Sequence, residues 1–238
     1  TGPVTTALGM HLEDGYKYAK YSDMLDYSLI WCSASASSPK DMDAWRDYYV
    51  PYLIEYHFKD PRYLVLDNKV VLQTFNLMES HLCPYWTPEK RKEAFDYLDE
   101  EVKKLGFDGM LYIMEEVLSS TVKEEGIDGI YSYNQSQHGT SFETLKAEIL
   151  RQKAIVSNEG LYYVPTSGIG FNCIAWMQER TPLMSVSDFK LSQEWIRDEY
   201  FTAYGESAPE WAKNLTIVST WNEYGEGHYI MPCDELAG

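Results

Sequence analysis

Six short runs, each apolar on both faces, recur along the chain: "YSLIWC" (27–32), "KVVLQTF" (69–75), "GMLYIM" (109–114), "GIYSY" (129–133), "LYYVP" (161–165) and "LTIVST" (215–220). A strand with two apolar faces must be covered on both, and the structure that does this is a parallel sheet flanked by helices. The segments between the runs carry helical patterns: "MDAWRDYYVPYLIEYHF" (42–58), "PEKRKEAFDYLDEEVKKL" (88–105), "SFETLKAEILRQKAIVSN" (141–158) and "SVSDFKLSQEWIRDEYFTAYG" (185–205). Thr87 followed by Pro88 and a charged first turn is a helix start. "GFDGM" (106–110) and "GIDGI" (126–130) each place a glycine at a helix end and an Asp-Gly turn before a strand. The same helix-to-strand joint is therefore written twice. Strand alternating with helix gives an α/β fold. At 238 residues one core suffices, so residues 1–238 are read as a single domain.

The residues after each run narrow the class further. No GxGxxG, GxxxxGK[ST] or GxSxG follows any of them, which disfavours dinucleotide folds, P-loop folds and α/β-hydrolases. Polar and aromatic residues follow instead. Trp31 and Cys32 close the first run; Asn76, Met78 and Glu79 follow the second, and Glu115 and Glu116 the third. Tyr133 and Asn134 follow the fourth, and Trp221, Asn222 and Glu223 the last. In a (β/α)8 barrel of the TIM type these strand ends share one rim, and that rim carries the active site. Each candidate also has a plainer reading. Trp31 taken alone suits a core, and Glu115 and Glu116 suit a helix start.

Charge and composition limit the partners. The net charge of -17, from 37 acidic against 20 basic residues, repels nucleic acid and anionic membranes and leaves a neutral or cationic ligand. No apolar run reaches the ~20 residues of a membrane span. Cys32, Cys83, Cys173 and Cys233 stand singly, which reads as buried thiols, with one or two long-range disulfides left open. The five histidines have no metal-ligand spacing, so neither a metal nor another cofactor is expected. The N-terminus "TGPVTTALGMHLEDG" has no basic stretch leading into an apolar one, the pattern of a signal peptide.

The stretch that carries chemistry is "TWNEYGEG" (220–227), directly after the last strand run. Glu223 and Glu226 stand three apart, with Trp221, Asn222 and Tyr224 around them and His228 two residues beyond. A Glu-x-x-Glu pair alone is usually a solvated helix face. Here a buried strand precedes it. In an extended strand, positions three apart point to opposite faces, about 10 Å apart, but Gly225 and Gly227 let the backbone turn and bring Glu226 toward Glu223. Two carboxylates brought close cannot both ionise freely, so one becomes a proton donor near neutral pH.

"WNEYGEGHYIMP" (221–232) resembles the Trp-Asn-Glu-aromatic-x-Glu-Gly signature of glycoside hydrolase family 99 and of the related WbsX-like glycosyltransferase domains. The resemblance extends through "WRDYYVPYLIEYHFKDPRYLVLDNKVVLQTF" (45–75), with its F-x-D-P-R-Y turn, and through "YSLIWCSAS" (27–35). It implies a (β/α)8 barrel and a retaining enzyme acting on α-mannosides. Carried over, Glu223 is the base that deprotonates the sugar 2-hydroxyl and Glu226 the general acid and then base. Asn222 would orient Glu223 or bind a hydroxyl, and Trp221 and Tyr224 would offer ring faces. Trp31, Glu115, Tyr133, Asn134 and His228 complete the expected substrate contacts. The ligand would be a neutral oligosaccharide or polysaccharide. An extracytoplasmic place suits a glycosidase and a cytoplasmic one a transferase. A polysaccharide glycosyltransferase and a non-catalytic sugar-binding barrel remain the alternatives.

The family barrel has two strands before the one matched at 27–32, and where the family has an Asp-Asn pair in its seventh unit this chain has "GFNC" (170–173), with Asn172 where an acid is common. An open barrel of about six strands is therefore expected. "GYKYAKYSDML" (15–25) would form a helix leading into the first strand. The gap would be covered by a missing N-terminal segment, a partner chain or a second copy, unless residues 1–26 cover it themselves.

Overall fold

The computed structural model describes residues 15–32, 38–75, 85–115, 122–133, 141–171, 183–223 and 228–230. The chain divides into two compact units, Thr1–Asp128 and Gly129–Gly238. Both are α/β.

In the first unit, β1 (Leu29–Cys32) runs parallel to β3 (Lys69–Phe75), and β3 runs parallel to β4 (Gly109–Glu115). Leu29 lies opposite Leu72, and Lys69 opposite Gly109. β2 (Val65–Leu66) folds back antiparallel onto β3 through Asp67 and Asn68. Both turn residues adopt left-handed φ, 49° and 57°, which short polar side chains tolerate and two-residue hairpins require. Val70, Val71, Leu72, Leu111 and Ile113 are buried in the sheet, and Ala94, Phe95, Leu98 and Val102 form the buried stripe of α3 (Pro88–Lys103). The Thr87 side chain accepts the Lys90 amide at the start of α3. Beyond its end, Gly106 takes φ 100°, as the repeated Gly-x-Asp-Gly joint requires.

Residues 42–58 are helical but not uniformly so. α1 (Met42–Ala44) and α2 (Val50–Leu53) alternate with π-helical turns Trp45–Tyr49 and Ile54–Phe58. Pro51 has no N–H to give the Asp47 carbonyl, so one α-helical bond is lost in any case and a wider turn costs less there.

A buried ion pair ties the helix to the far side of β4. The Arg91 guanidinium donates to both oxygens of Glu125 at 2.7 and 3.0 Å, and to the Trp86 carbonyl at 2.7 Å. Its side chain is 5% exposed and that of Glu125 3%.

Residues 15–25 depart from the expected helix. They form two 3-10 turns, Tyr16–Tyr18 and Ser22–Met24, separated by Ala19 in an extended conformation. The cause lies in the F-x-D-P-R-Y turn. Arg62 donates to the Lys17 carbonyl at 3.1 Å and to Ser22 Oγ at 2.9 Å, and Lys17 donates to the Tyr56 carbonyl at 2.6 Å. These contacts replace the bonds a helix would make within itself. Asp60 holds Arg62 in place by accepting from its Nε at 2.9 Å, its Nη2 at 2.8 Å and its backbone amide at 3.0 Å. The next residue spans two strands: Tyr63 donates its hydroxyl to the Val71 carbonyl at 2.8 Å and accepts the Leu29 amide at 3.2 Å.

In the second unit, β5 (Gly129–Tyr131) pairs parallel with β6 (Tyr162–Val164), and β7 (Thr166–Ser167) pairs parallel with β8 (Ile217–Val218). β6 and β7 are one run changing partners at Pro165, whose carbonyl accepts the Ile217 amide and the Thr216 hydroxyl, each at 2.9 Å. Among the described residues its α-helices are α4 (Phe142–Asn158), started by a Ser141–Thr144 capping box, α5 (Val186–Trp195) and α6 (Glu210–Asn214). α5 continues through a π-helical turn, Ile196–Tyr200, and a 3-10 turn, Phe201–Ala203. Leu145, Ile149, Val156, Tyr163, Trp195 and Tyr200 are among its buried core.

Two outcomes are expected from these contacts. Arg91→Ala leaves Glu125 charged and buried, and should cost about 3–5 kcal/mol in denaturant unfolding; replacing both residues by leucine should recover much of that loss. The bonds and charge of Arg62 hold the Asp60 carboxyl down to about 2. Its folded value lies below its unfolded one, so its stabilisation is present above about pH 4 and is lost as pH falls toward 2. Asp60→Asn should flatten that part of an acid-unfolding curve, and an unchanged acid limb would refute the assignment.

Candidate functional site

The second unit brings several expected residues together. β8 is only two residues long, and its pairing ends where the Ser219 amide donates to the Ser167 carbonyl at 2.9 Å. The chain leaves this parallel strand at its carboxyl end and turns back on itself as a hairpin. β9 (Asn222–Glu223) pairs antiparallel with β10 (His228–Tyr229), placing Glu223 opposite His228 and Asn222 opposite Tyr229. The Ile230 amide donates to the Thr220 carbonyl at 2.9 Å, which closes the base of the hairpin. Trp221, at the start of the hairpin, is 60% exposed. An indole with that much free surface at a strand end is available to a flat apolar ligand face.

Tyr133 lies beside this hairpin base. The Ser219 hydroxyl donates to its carbonyl at 2.9 Å, joining segments 86 residues apart in sequence. The position is held from behind by a stack of tyrosines. Tyr163 donates to Ser132 Oγ at 3.1 Å, while Tyr200 and Tyr204 both donate to the Tyr163 carbonyl, at 2.8 and 3.0 Å. Burial raises the Tyr200 and Tyr204 hydroxyls above their ordinary values, so both stay protonated donors through neutral pH. The Lys153 ammonium caps the pair, 4.4 Å from the Tyr200 ring and 3.8 Å from the Tyr204 ring, and burial lowers its pKa. Ser132, Thr166, Ser167 and Ser219 give this end of the strands a buried layer of hydroxyls. These small residues carry no motif, and the patterns read from the sequence missed them. Their signal was only that serine or threonine stands next to each strand end.

In the first unit, Glu115 is the last residue of β4 and half-buried. Trp31 does not form a sugar platform. It is 9% exposed, its indole N–H donates to Ser38 Oγ at 3.1 Å, and its ring meets Trp45 at 4.9 Å, Trp86 at 5.5 Å and Phe95 at 6.1 Å. Trp45 and Trp86 also spend their N–H groups internally, on the Ala94 and Pro39 carbonyls. A ring enclosed in such a cluster has no face left for a ligand, so Trp31 is core. Tyr224, Glu226 and Asn134 lie outside the described residues, as do Glu116 and the Asn172 region. Among the described residues, no group of His, Cys, Asp and Glu is arranged to hold a metal, and no helix is long and apolar enough to cross a membrane.

No family model matches the chain, and no curated protein matches it by sequence. Solved structures do. The GH99 endo-alpha-mannosidase from Bacteroides thetaiotaomicron superposes with a TM-score of 0.56 at 13% identity, over 98% of this chain and 65% of that one. The same enzyme in complex with bis-tris-propane gives 0.55 at 14% identity, over 96% and 66%. The chain thus spans about two thirds of the length of the enzyme it resembles. This likeness establishes the fold: α/β, of (β/α)8 barrel type, mostly parallel, and like that of glycoside hydrolase family 99.

Proposed function

We propose that the chain is a glycoside hydrolase that cleaves α-mannoside-type bonds with retention. One observation carries the reading. The Trp221-Asn222-Glu223 stretch stands at the carboxyl end of a parallel strand, in a fold like that of an endo-alpha-mannosidase. Carboxyl ends of barrel strands are where this architecture carries catalytic groups.

In the proposed reaction Glu223 takes the proton of the sugar 2-hydroxyl, and O2 closes on C1 to give a 1,2-anhydro sugar. Glu226 protonates the departing glycosidic oxygen. In the second half Glu226 takes a proton from water, whose oxygen opens the anhydro ring at C1, and Glu223 returns its proton to O2. Two inversions give net retention. Asn222 and Tyr224 would hold sugar hydroxyls, Trp221 would stack on a pyranose face, and Tyr133, Asn134 and His228 would line the same strand ends. A neutral glycan is compatible with a chain of net charge -17, since no anion has to approach it.

Release of reducing sugar from mannan or high-mannose oligosaccharide tests the reading, and its absence from a folded chain would sink it. Glu226→Gln should abolish cleavage of natural substrates but largely spare activated aryl glycosides, whose leaving groups depart unprotonated. Glu223→Gln should abolish both. Equal losses on the two substrate types would count against these roles. Trp221→Phe should remove the quenching of tryptophan emission by millimolar mannobiose.

A further inference from the structure

We infer that Ser219 is a positioning residue for the proposed glycosidase reaction, setting the Trp221–Glu223 hairpin against the Tyr133 segment. The inference rests on the glycosidase reading. Ser219 is 5% exposed and follows β8 directly. Its amide makes the last backbone bond of the β7–β8 pairing, to Ser167. Beyond that bond the chain must leave the sheet at a defined place and angle, and two contacts on successive residues fix it. The Ser219 hydroxyl donates to the Tyr133 carbonyl at 2.9 Å, and the Thr220 carbonyl accepts the Ile230 amide at 2.9 Å.

The first contact reaches sideways and the second closes the hairpin. β8 lies beside β7, whereas Tyr133 follows β5, which pairs with β6. The serine hydroxyl therefore links the end of one strand pair to the segment that follows another. No backbone ladder among the described residues makes that connection, and a side chain does. Serine suits the place because it is small enough to stay buried and its hydroxyl can rotate onto a carbonyl that is already fixed. Tyr133 is held in its turn by Ser132, which accepts from Tyr163.

Removing the hydroxyl would leave the fold standing and let the hairpin shift by a fraction of an ångström relative to Tyr133. A shift of that kind near reacting groups lowers turnover far more than it lowers binding, with losses of up to about 100-fold for a displacement near 1 Å. Loss of stability alone would instead leave the kinetic constants of the folded fraction unchanged.

The test measures kcat, KM and melting temperature for wild type, Ser219→Ala, Ser219→Thr and Ser219→Cys on mannan-derived oligosaccharide. Ser219→Ala should lose about 10- to 100-fold in kcat, with KM changed by less than about 3-fold. Ser219→Thr, which keeps the hydroxyl, should recover most of the turnover. If Ser219→Ala does not fold, Ser219→Cys, close in size and a weak donor, should show a kcat loss in the same direction. Wild-type kcat in the alanine or cysteine variant would overturn the positioning role and leave the glycosidase reading intact. A folded wild-type chain that neither cleaves oligomannoside nor binds a mannose-configured iminosugar would overturn both.

Discussion

The Arg91 guanidinium is the most demanding group in the first unit. It is charged, almost fully buried and spends its donors on two Glu125 oxygens and the Trp86 carbonyl. Burying such a pair is costly, and the geometry offsets the cost only when both hydrogen-bonding ends are satisfied. That requirement couples three pieces of chain that are otherwise independent: the start of α3, the 85–87 approach to it and the 122–127 return from β4. Trp86 also stands in the aromatic cluster with Trp31 and Trp45, so the ion pair sets where that cluster closes. Asp128 lies just past this return. It accepts the Tyr112 amide at 3.0 Å and lies 3.5 Å from the Lys69 ammonium, linking the middle of β4 to the start of β3. Burial pushes its carboxyl up while these contacts pull it down, and burial is the larger effect.

Much of this fold was legible because parallel strands advertise themselves. All six doubly apolar runs contain strands, and the four longer helical patterns are helical, because both signals come from which residues must leave water. The illegible parts depended on single contacts between distant residues. Residues 15–25 have helical composition, yet Arg62 takes the Lys17 carbonyl and Ser22 hydroxyl and leaves two short turns. The left-handed Asp67–Asn68 turn was in view in the sequence but unread, because β2 is two residues long and shows no period. Trp31 shows the same limit. Its strand-end position was read correctly, but whether an indole faces a ligand or a cluster depends on Trp45 and Trp86, which come from other elements. The pairing of Asn222–Glu223 with His228–Tyr229 has no two-residue period long enough to read, and the glycines expected to turn the chain lie outside the described residues.

A strand can run straight into aromatics and carboxylates when its continuation is a second, smaller structure rather than a turn. β8 is too short to be held by its own pairing, and β9 and β10 are a two-residue ladder that would not persist alone. Each is stable here because neighbours supply the missing bonds: Pro165 gives the carbonyl that takes Ile217 and Thr216, Ser167 takes the Ser219 amide, and Tyr133 takes the Ser219 hydroxyl. The polar groups at the ends of β7 and β8 thus do two things at once. They satisfy backbone that has left the sheet, and they hold Trp221, 60% exposed, at the start of the hairpin. A surface built this way is fixed by hydrogen bonds from behind rather than by apolar packing on its face, which leaves that face available to a ligand. This is the physical sense in which the sequence "LTIVSTW" is one object: a short parallel strand, a serine that fastens its end, and the exposed indole that the fastened chain presents.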